Sequence, residues 1–122
     1  MEEDQMGNYE IVYYSKPNGR EPLREFLESL SPKLSSEAFS DLATLQEMGP
    51  ELRMPHSRHI RKGLFELRIQ ADGDNVRAFY FFYQRGSIVV THGFLKKTRK
   101  TPLREIERAF RYKHDWEKRH NA

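Results

Sequence analysis

Residues 64–95 hold three successive runs of strand-forming side chains, separated by turns too short for anything but hairpins. Residues 64–70 alternate apolar and polar, residues 76–83 are almost wholly apolar, and residues 88–95 open on β-branched side chains. Between them stand Ala71-Asp72-Gly73-Asp74-Asn75 and Arg85-Gly86, rich in the residue types that accept tight-turn backbone angles. A chain with this centre is committed to an antiparallel meander. Its remaining segments must cover that sheet.

Those segments read as one further strand and three helices. Residues 9–14 (YEIVYY) are β-branched and aromatic and end at a turn cluster, Ser15-Lys16-Pro17-Asn18-Gly19. Leu23, Phe26, Leu27 and Leu30 recur at helical spacing. Ser31-Pro32 is an N-cap and first-turn pair for a longer helix with Leu34, Ala38, Leu42 and Leu45 on one face, closed by Gly49-Pro50. Residues 51–63 (ELRMPHSRHIRKG) have no clear period and read as a basic loop. Thr101-Pro102 opens a last helix through Leu103, Ile106, Phe110 and Trp116 to about residue 118. The expected fold is α+β, in the order β-α-α-β-β-β-α, with a largely antiparallel twisted sheet packed against helices. At 122 residues, without repeat or linker, the chain 1–122 reads as one domain; the acidic, aperiodic residues 1–8 read as a frayed end.

Composition removes several classes of function. There is no cysteine, which excludes disulfide scaffolds, thiolate zinc sites and cysteine nucleophiles. No apolar run approaches 18 residues and no leader pattern opens the chain, so a cytoplasmic protein without a membrane contact is expected. P-loop, GxGxxG and GxSxG motifs are absent. His56 and His59 have a spacing that suits a metal but lack a third ligand, and His114 and His120 fall on the last helix. No metal or cofactor is expected. The net charge of +3 conceals a division: residues 1–51 carry 4 basic and 11 acidic side chains, residues 52–122 carry 17 and 7. Such a split suggests a polyanion partner for the second part.

Strand periodicity places part of that charge. If the 71–74 turn pairs Gln70 with Asn75, Arg68 lies opposite Arg77. If a two-residue turn at Arg85-Gly86 pairs Gln84 with Ser87, Arg77 faces Phe94 and Phe79 faces His92. One face then presents Glu66, Arg68, Arg77, His92 and Phe94, with Lys96 and Lys97 just beyond. The other, with Phe65, Leu67, Ala78, Tyr80, Phe82, Val89 and Leu95, packs under helices. Two arginines opposed across a sheet are unfavourable without an anion between them or a counter-ion such as Glu66. Arginine's planar fork suits phosphate oxygens, and Phe94 or Tyr83 offers a stacking surface for a base. Lys96-Lys97-Thr98-Arg99-Lys100 adds four cations in five residues.

The segments GLFELR (63–68), VRAFY (76–80) and HGFLKKTRKTP (92–102), with Met54-Pro55-His56 before and Glu105-Ile106-Glu107-Arg108-Ala109 after, resemble the phage-derived Gp49-like, HigB-type branch of the RelE/ParE toxin superfamily. The similarity runs over about residues 9–116. It implies a RelE-like fold and a toxin of a type II toxin–antitoxin pair that cleaves translated mRNA, often on the ribosome. It also implies a helix-turn-helix, HigA-type antitoxin, operator DNA reached only through that antitoxin, and a heterotetrameric toxin–antitoxin assembly. Arg68, Arg77 and Lys96/Lys97 match positions where relatives bind and cut RNA, and His92 fits a slot where some carry histidine. The aromatic hydroxyl that some relatives use near the C-terminus has only Tyr83 and Tyr112 as neighbours here. The superfamily also contains ParE-type gyrase inhibitors, which cleave nothing. A non-catalytic nucleic-acid-binding module is a third reading.

In the cleavage reading the RNA brings its own nucleophile, the 2′-hydroxyl. Arg68 and Arg77 would stabilise the developing charge. His92, whose ordinary pKa lies nearest neutrality, would serve as base or acid, and Lys97 would assist the leaving oxygen. Lys62, Lys96, Arg99 and Lys100 would hold the backbone and Phe94 a base. The set is rich in cations and poor in acid–base groups, so an outside scaffold such as the ribosome is expected to orient the substrate.

Overall fold

The computed structural model describes residues 8–121. The frayed end expected over 1–8 lies outside them, apart from Asn8. Five strands form one sheet: β1 (Glu10–Tyr13), β2 (Ser57–Arg61), β3 (Leu64–Ala71), β4 (Asp74–Tyr83) and β5 (Ser87–Leu95). Three helices accompany it: α1 (Pro22–Glu28), α2 (Pro32–Met48) and α3 (Leu103–His120). The strand order is β1-β5-β4-β3-β2, with β1 parallel to β5 and every other pairing antiparallel. The expected α+β class is observed. Ser31 caps α2 as expected, its hydroxyl accepting from the Leu34 amide, with Pro32 in the first turn.

The segment expected to be a basic loop contains a strand. Lys62 (φ 50°) and Gly63 (φ 81°) both take positive φ, the requirement of a tight two-residue hairpin turn, and fold β2 back onto β3. Periodicity could not show it, because a bulge at Ile60 breaks the alternation and three of the five side chains are exposed. The inward residue at its start is polar: Ser57 is buried against the Tyr80 hydroxyl.

The β4–β5 turn also differs from expectation. It has three residues, with Gln84 (φ 53°) and Gly86 (φ 92°) in the left-handed region, so Tyr83 rather than Gln84 pairs with Ser87. An irregularity between Ala78 and Tyr80 then shifts the register back, restoring Ala78↔Gly93 and Arg77↔Phe94. The two displacements cancel where the charged residues sit and persist between them and the turn. Val89 therefore packs with Tyr14 and Phe81 on the face opposite to the one expected; Leu95, in the restored register opposite Val76, is exposed at the end of the strand rather than in the expected core.

Each face of the sheet has its own cover. Leu67, Ile69, Val76, Ala78 and Tyr80 meet the apolar stripes of α1 and α2. On the reverse, Leu64, Phe79 and Phe94 meet Ile106 and Ala109 of α3, while Tyr14, Phe81 and Val89 meet Tyr112 and Trp116. Since α3 lies chiefly over β4 and β5, the end of this face nearest β3 stays uncovered. No helix among the described residues is long and apolar enough to cross a membrane.

At Gly93 the Phe26 ring of α1 packs directly against the sheet. A methyl group there would meet the Phe26 ring at 2.6 Å, against an ordinary contact of about 3.5–4 Å. Gly93→Ala is expected to destabilise the fold by about 1–3 kcal/mol, read as a lower urea midpoint with an unchanged slope.

Candidate functional site

The uncovered end of the second face is a pocket of ≈ 460 Å³ lined by Arg58, Glu66, Arg68, Arg77, Lys96, Arg99, Lys100, Thr101 and Ile106. Strands β2, β3 and β4 supply the first four charged residues, and the segment between β5 and α3 supplies the rest. Arg68 and Arg77 are direct cross-strand partners, as the periodicity indicated. Lys96 donates to the carbonyls of Thr98 (2.6 Å) and Arg99 (2.7 Å), which curls the basic segment into one wall. The lining therefore carries six cations and a single carboxylate.

That carboxylate holds the floor together. Glu66 is 1% exposed; its Oε1 lies 3.3 Å from Arg58 Nη2 and 3.8 Å from Arg77 Nε, and its Oε2 accepts from the Thr101 hydroxyl. Thr101 was expected to cap the last helix. Its hydroxyl is spent on Glu66 instead, and α3 begins after Pro102 without a side-chain cap. Arg77 is 4% exposed, and its one hydrogen bond among the described residues runs from Nη1 to the Val76 carbonyl at 3.1 Å. Its buried Nε has no hydrogen-bond partner. Burial pulls this guanidinium below its ordinary pKa, Glu66 opposes the shift, and Arg68 and Arg58 add to it. A buried cation with unused donors, repelled by two neighbours, is a site short of negative charge.

Arg68 divides this pocket from an acidic groove. Beyond it lie Glu37, Asp41, His56 and Gln70, and its Nη1 touches the Met54 sulfur at 3.5 Å. Asp41 is raised to about 7, chiefly by burial and then by the hydrogen bond and repulsion of the adjoining Glu37. Among the described residues no three His, Asp or Glu side chains are grouped to hold a metal. His59 lies apart from His56, its ring against Phe65.

Of the residues expected in the site, Arg68, Arg77, Lys96, Arg99 and Lys100 line the pocket together. Lys97 is exposed in the same segment but not in the lining. Lys62 lies at the β2–β3 turn, in a different groove with Arg61 and Arg111. Phe94 is 8% exposed and stacked on Phe79 at 5.8 Å, so its ring is core rather than a platform for a base. His92 is likewise not in the pocket. It is 1% exposed, with Nε2 3.0 Å from Glu105 Oε1 and Nδ1 3.1 Å from the Thr91 hydroxyl. The reason is α3, which lies over the half of the face that periodicity alone left open. The Tyr83 and Tyr112 hydroxyls are also occupied elsewhere, Tyr83 donating to the His120 carbonyl and Tyr112 accepting from Arg108.

Burial lowers His92 from 6.5 to about 4, against the hydrogen bond that Glu105 accepts and with help from the Arg108 and Arg111 charges. The unfolded chain takes up this proton near 6.5 and the folded chain only near 4. The stability contributed by neutral His92 is thus complete above 6.5 and is lost as pH falls through that window. The unfolding free energy of the wild type should exceed that of His92→Leu by about 3 kcal/mol more at pH 7 than at pH 4. Taking the difference between two proteins cancels Asp41, which titrates in both with the opposite sign. A constant gap would show that His92 is not held neutral.

Arg58, Glu66 and Thr101 complete the site but were not among the expected site residues. Arg58 stands on the strand that the bulge concealed. Glu66 was considered only as a counter-ion, although its place two residues before Arg68, on the same face, was the available signal. Thr101 was assigned to the helix cap.

The family model described as phage derived protein Gp49-like (DUF891) matches residues 25–114, from within α1 through most of α3, and includes every pocket residue. The chain belongs to this family. The Gp49-like family falls within the RelE/HigB-like toxin group and is associated with the toxins of toxin–antitoxin systems. No curated protein matches the chain. The five-stranded, mostly antiparallel sheet with three helices is consistent with a RelE-like fold for this Gp49-like protein. Membership points to an antitoxin partner.

Proposed function

We propose that this Gp49-like protein is the toxin of a type II toxin–antitoxin pair and acts as an mRNA interferase of HigB type, the whole chain serving as one RelE-like domain. The observation that carries the reading is Arg77: a buried guanidinium whose Nε makes no hydrogen bond and has only Glu66 as counter-charge, in the lining of a pocket of six cations. This arrangement suits a phosphodiester, whose oxygens supply the negative charge that a single carboxylate does not.

In this reading the 2′-hydroxyl of the RNA gives its proton to a base brought from outside the pocket and attacks the adjacent phosphorus, and the bond to the 5′-oxygen breaks to leave a 2′,3′-cyclic phosphate. Arg77 and Arg68 stabilise the charge that gathers on the non-bridging oxygens. Arg58, Lys96, Arg99 and Lys100 hold the flanking backbone, and Lys97, exposed beside them, protonates the leaving oxygen. His92 is a positioning residue: through Glu105 it ties the first turn of α3 to the sheet and steadies the segment that carries the lysines. No histidine lines the pocket to take the 2′-hydroxyl proton, so that base, and the scaffold that aligns the substrate, must come from outside, which favours cleavage on the ribosome in the cytoplasm. A helix-turn-helix antitoxin would restrain the toxin and carry any contact with operator DNA.

Expression in cells followed by primer extension on abundant messages tests this. Codon-spaced cuts that depend on Arg77 support it. Intact messages with accumulated gyrase–DNA complexes would establish the ParE-type activity instead, and binding without either outcome would leave a non-catalytic module.

A further inference from the structure

The pocket accounts for only part of the positive charge in the second half of the chain. On α3, Arg104, Arg111 and Lys118 recur every seven residues. Seven residues are two helical turns less about 20°, so the three form one ridge about 21 Å long at 1.5 Å per residue. All three are exposed. Of the acids of α3, Glu105 is engaged with His92 and Arg108, Asp115 with Tyr14 and Arg119, and Glu117 with Lys113; Glu107 lies in the groove with Arg61, Lys62 and Arg111, one carboxylate against five cations. Beside the ridge, the Arg61 guanidinium is held 4.9 Å above the Phe110 ring, and Arg61 and Lys62 share a groove with Arg111. None of these five cations makes an ion pair among the described residues.

We infer that the outer ridge of α3, with the β2–β3 turn, is a second nucleic-acid surface that grips the backbone of double-helical RNA. A single strand is bound through exposed Phe, Tyr or Trp platforms, and among the described residues the ridge presents none of these. Phe110 is half-buried beneath Arg61, Tyr112 is stacked on Tyr14 at 4.6 Å, and Trp116 on His120 at 3.6 Å. A protein partner would want an apolar anchor, and Leu103, at the very start of α3, is the one exposed large apolar side chain of the helix. Regularly spaced cations on a convex rod suit a duplex phosphate backbone, which is read by charge and shape. That the duplex is RNA rather than DNA rests on the reading of the pocket; the ridge itself does not.

The test uses the full-length protein, a short RNA hairpin and a DNA duplex of matched length, with affinity followed by anisotropy over a range of salt. Replacing Arg104, Arg111 and Lys118 together by serine should lower the log–log salt slope on the RNA hairpin by between about 2 and 3, the value for three lost phosphate contacts. Thermal melting confirms that the variant is folded. Lys33→Ser, at an exposed cation of α2 over the opposite face of the sheet, should leave that slope unchanged. An unchanged slope in the triple variant overturns the inference. Tighter binding to the DNA duplex than to the RNA overturns the choice of RNA. Cleavage in cells is scored separately: a wild type that cuts no message but shows the expected slopes refutes the pocket reading and supports the ridge.

Discussion

Arg77→Ala is expected to reduce message cleavage by about 10²–10³-fold, the effect of removing one preorganised donor from a charge-stabilising site. The effect on folding should be much smaller. Glu66 keeps Arg58 and the Thr101 hydroxyl, so no carboxylate is stranded. Arg68 is relieved of a like charge directly across the sheet, a pairing that is itself unfavourable. What remains is the loss of packing around a buried stem. Arg77→Lys separates charge from geometry: a lysine restores one positive charge without the planar fork. It should recover melting temperature but little of the cutting. Primer-extension band intensity, normalised to toxin abundance, together with thermal melts of the purified proteins, gives both readouts. Full cleavage by Arg77→Ala would remove the basis of the proposed site.

The Arg68/Arg77 pair was legible because its turn is short. Asp72 (φ 55°) and Gly73 (φ 79°) take the left-handed angles that a tight hairpin demands, so Gln70↔Asn75 and the pairs behind it follow from counting. The Arg77↔Phe94 pair was reached by an incorrect route, through a turn one residue too short and a bulge that made up the difference. Strand periodicity says which side chains share a face but not what lies over it. His92 and Phe94 do share the face of Arg77, yet Ile106 and Ala109 of α3 pack over one half of it and leave the other half to the cations. Where a helix settles depends on the whole core, and no local pattern encodes it. Strand β2 escaped for a different reason: its alternation is broken at Ile60, and its role is to bring Arg58 to Glu66 rather than to fill a core.

Glu66→Gln should produce the second large effect, and of a kind that a merely structural ion pair would not show. Glutamine keeps the shape but removes the one carboxylate among the pocket's lining. Arg77, 4% exposed, would then be a buried charge without a counter-charge, a loss of about 3–5 kcal/mol when one partner of such a pair is removed. Arg58 is half exposed and contributes less, since water screens it. The variant should therefore melt well below wild type in a buffer free of multivalent anions. The same change leaves six cations facing one pocket with nothing to neutralise them, so phosphate should bind the variant more tightly than the wild type. Ligand bound only to the folded state stabilises it by RT ln(1 + [L]/Kd), so the gap in melting temperature should close as phosphate is raised at constant ionic strength. Chloride at the same ionic strength should not close it. A gap that stayed constant would make Glu66 an ordinary buried partner of two arginines. A gap that closes would mean that an anion can stand where the carboxylate stood, as a pocket built to receive phosphodiester oxygens requires.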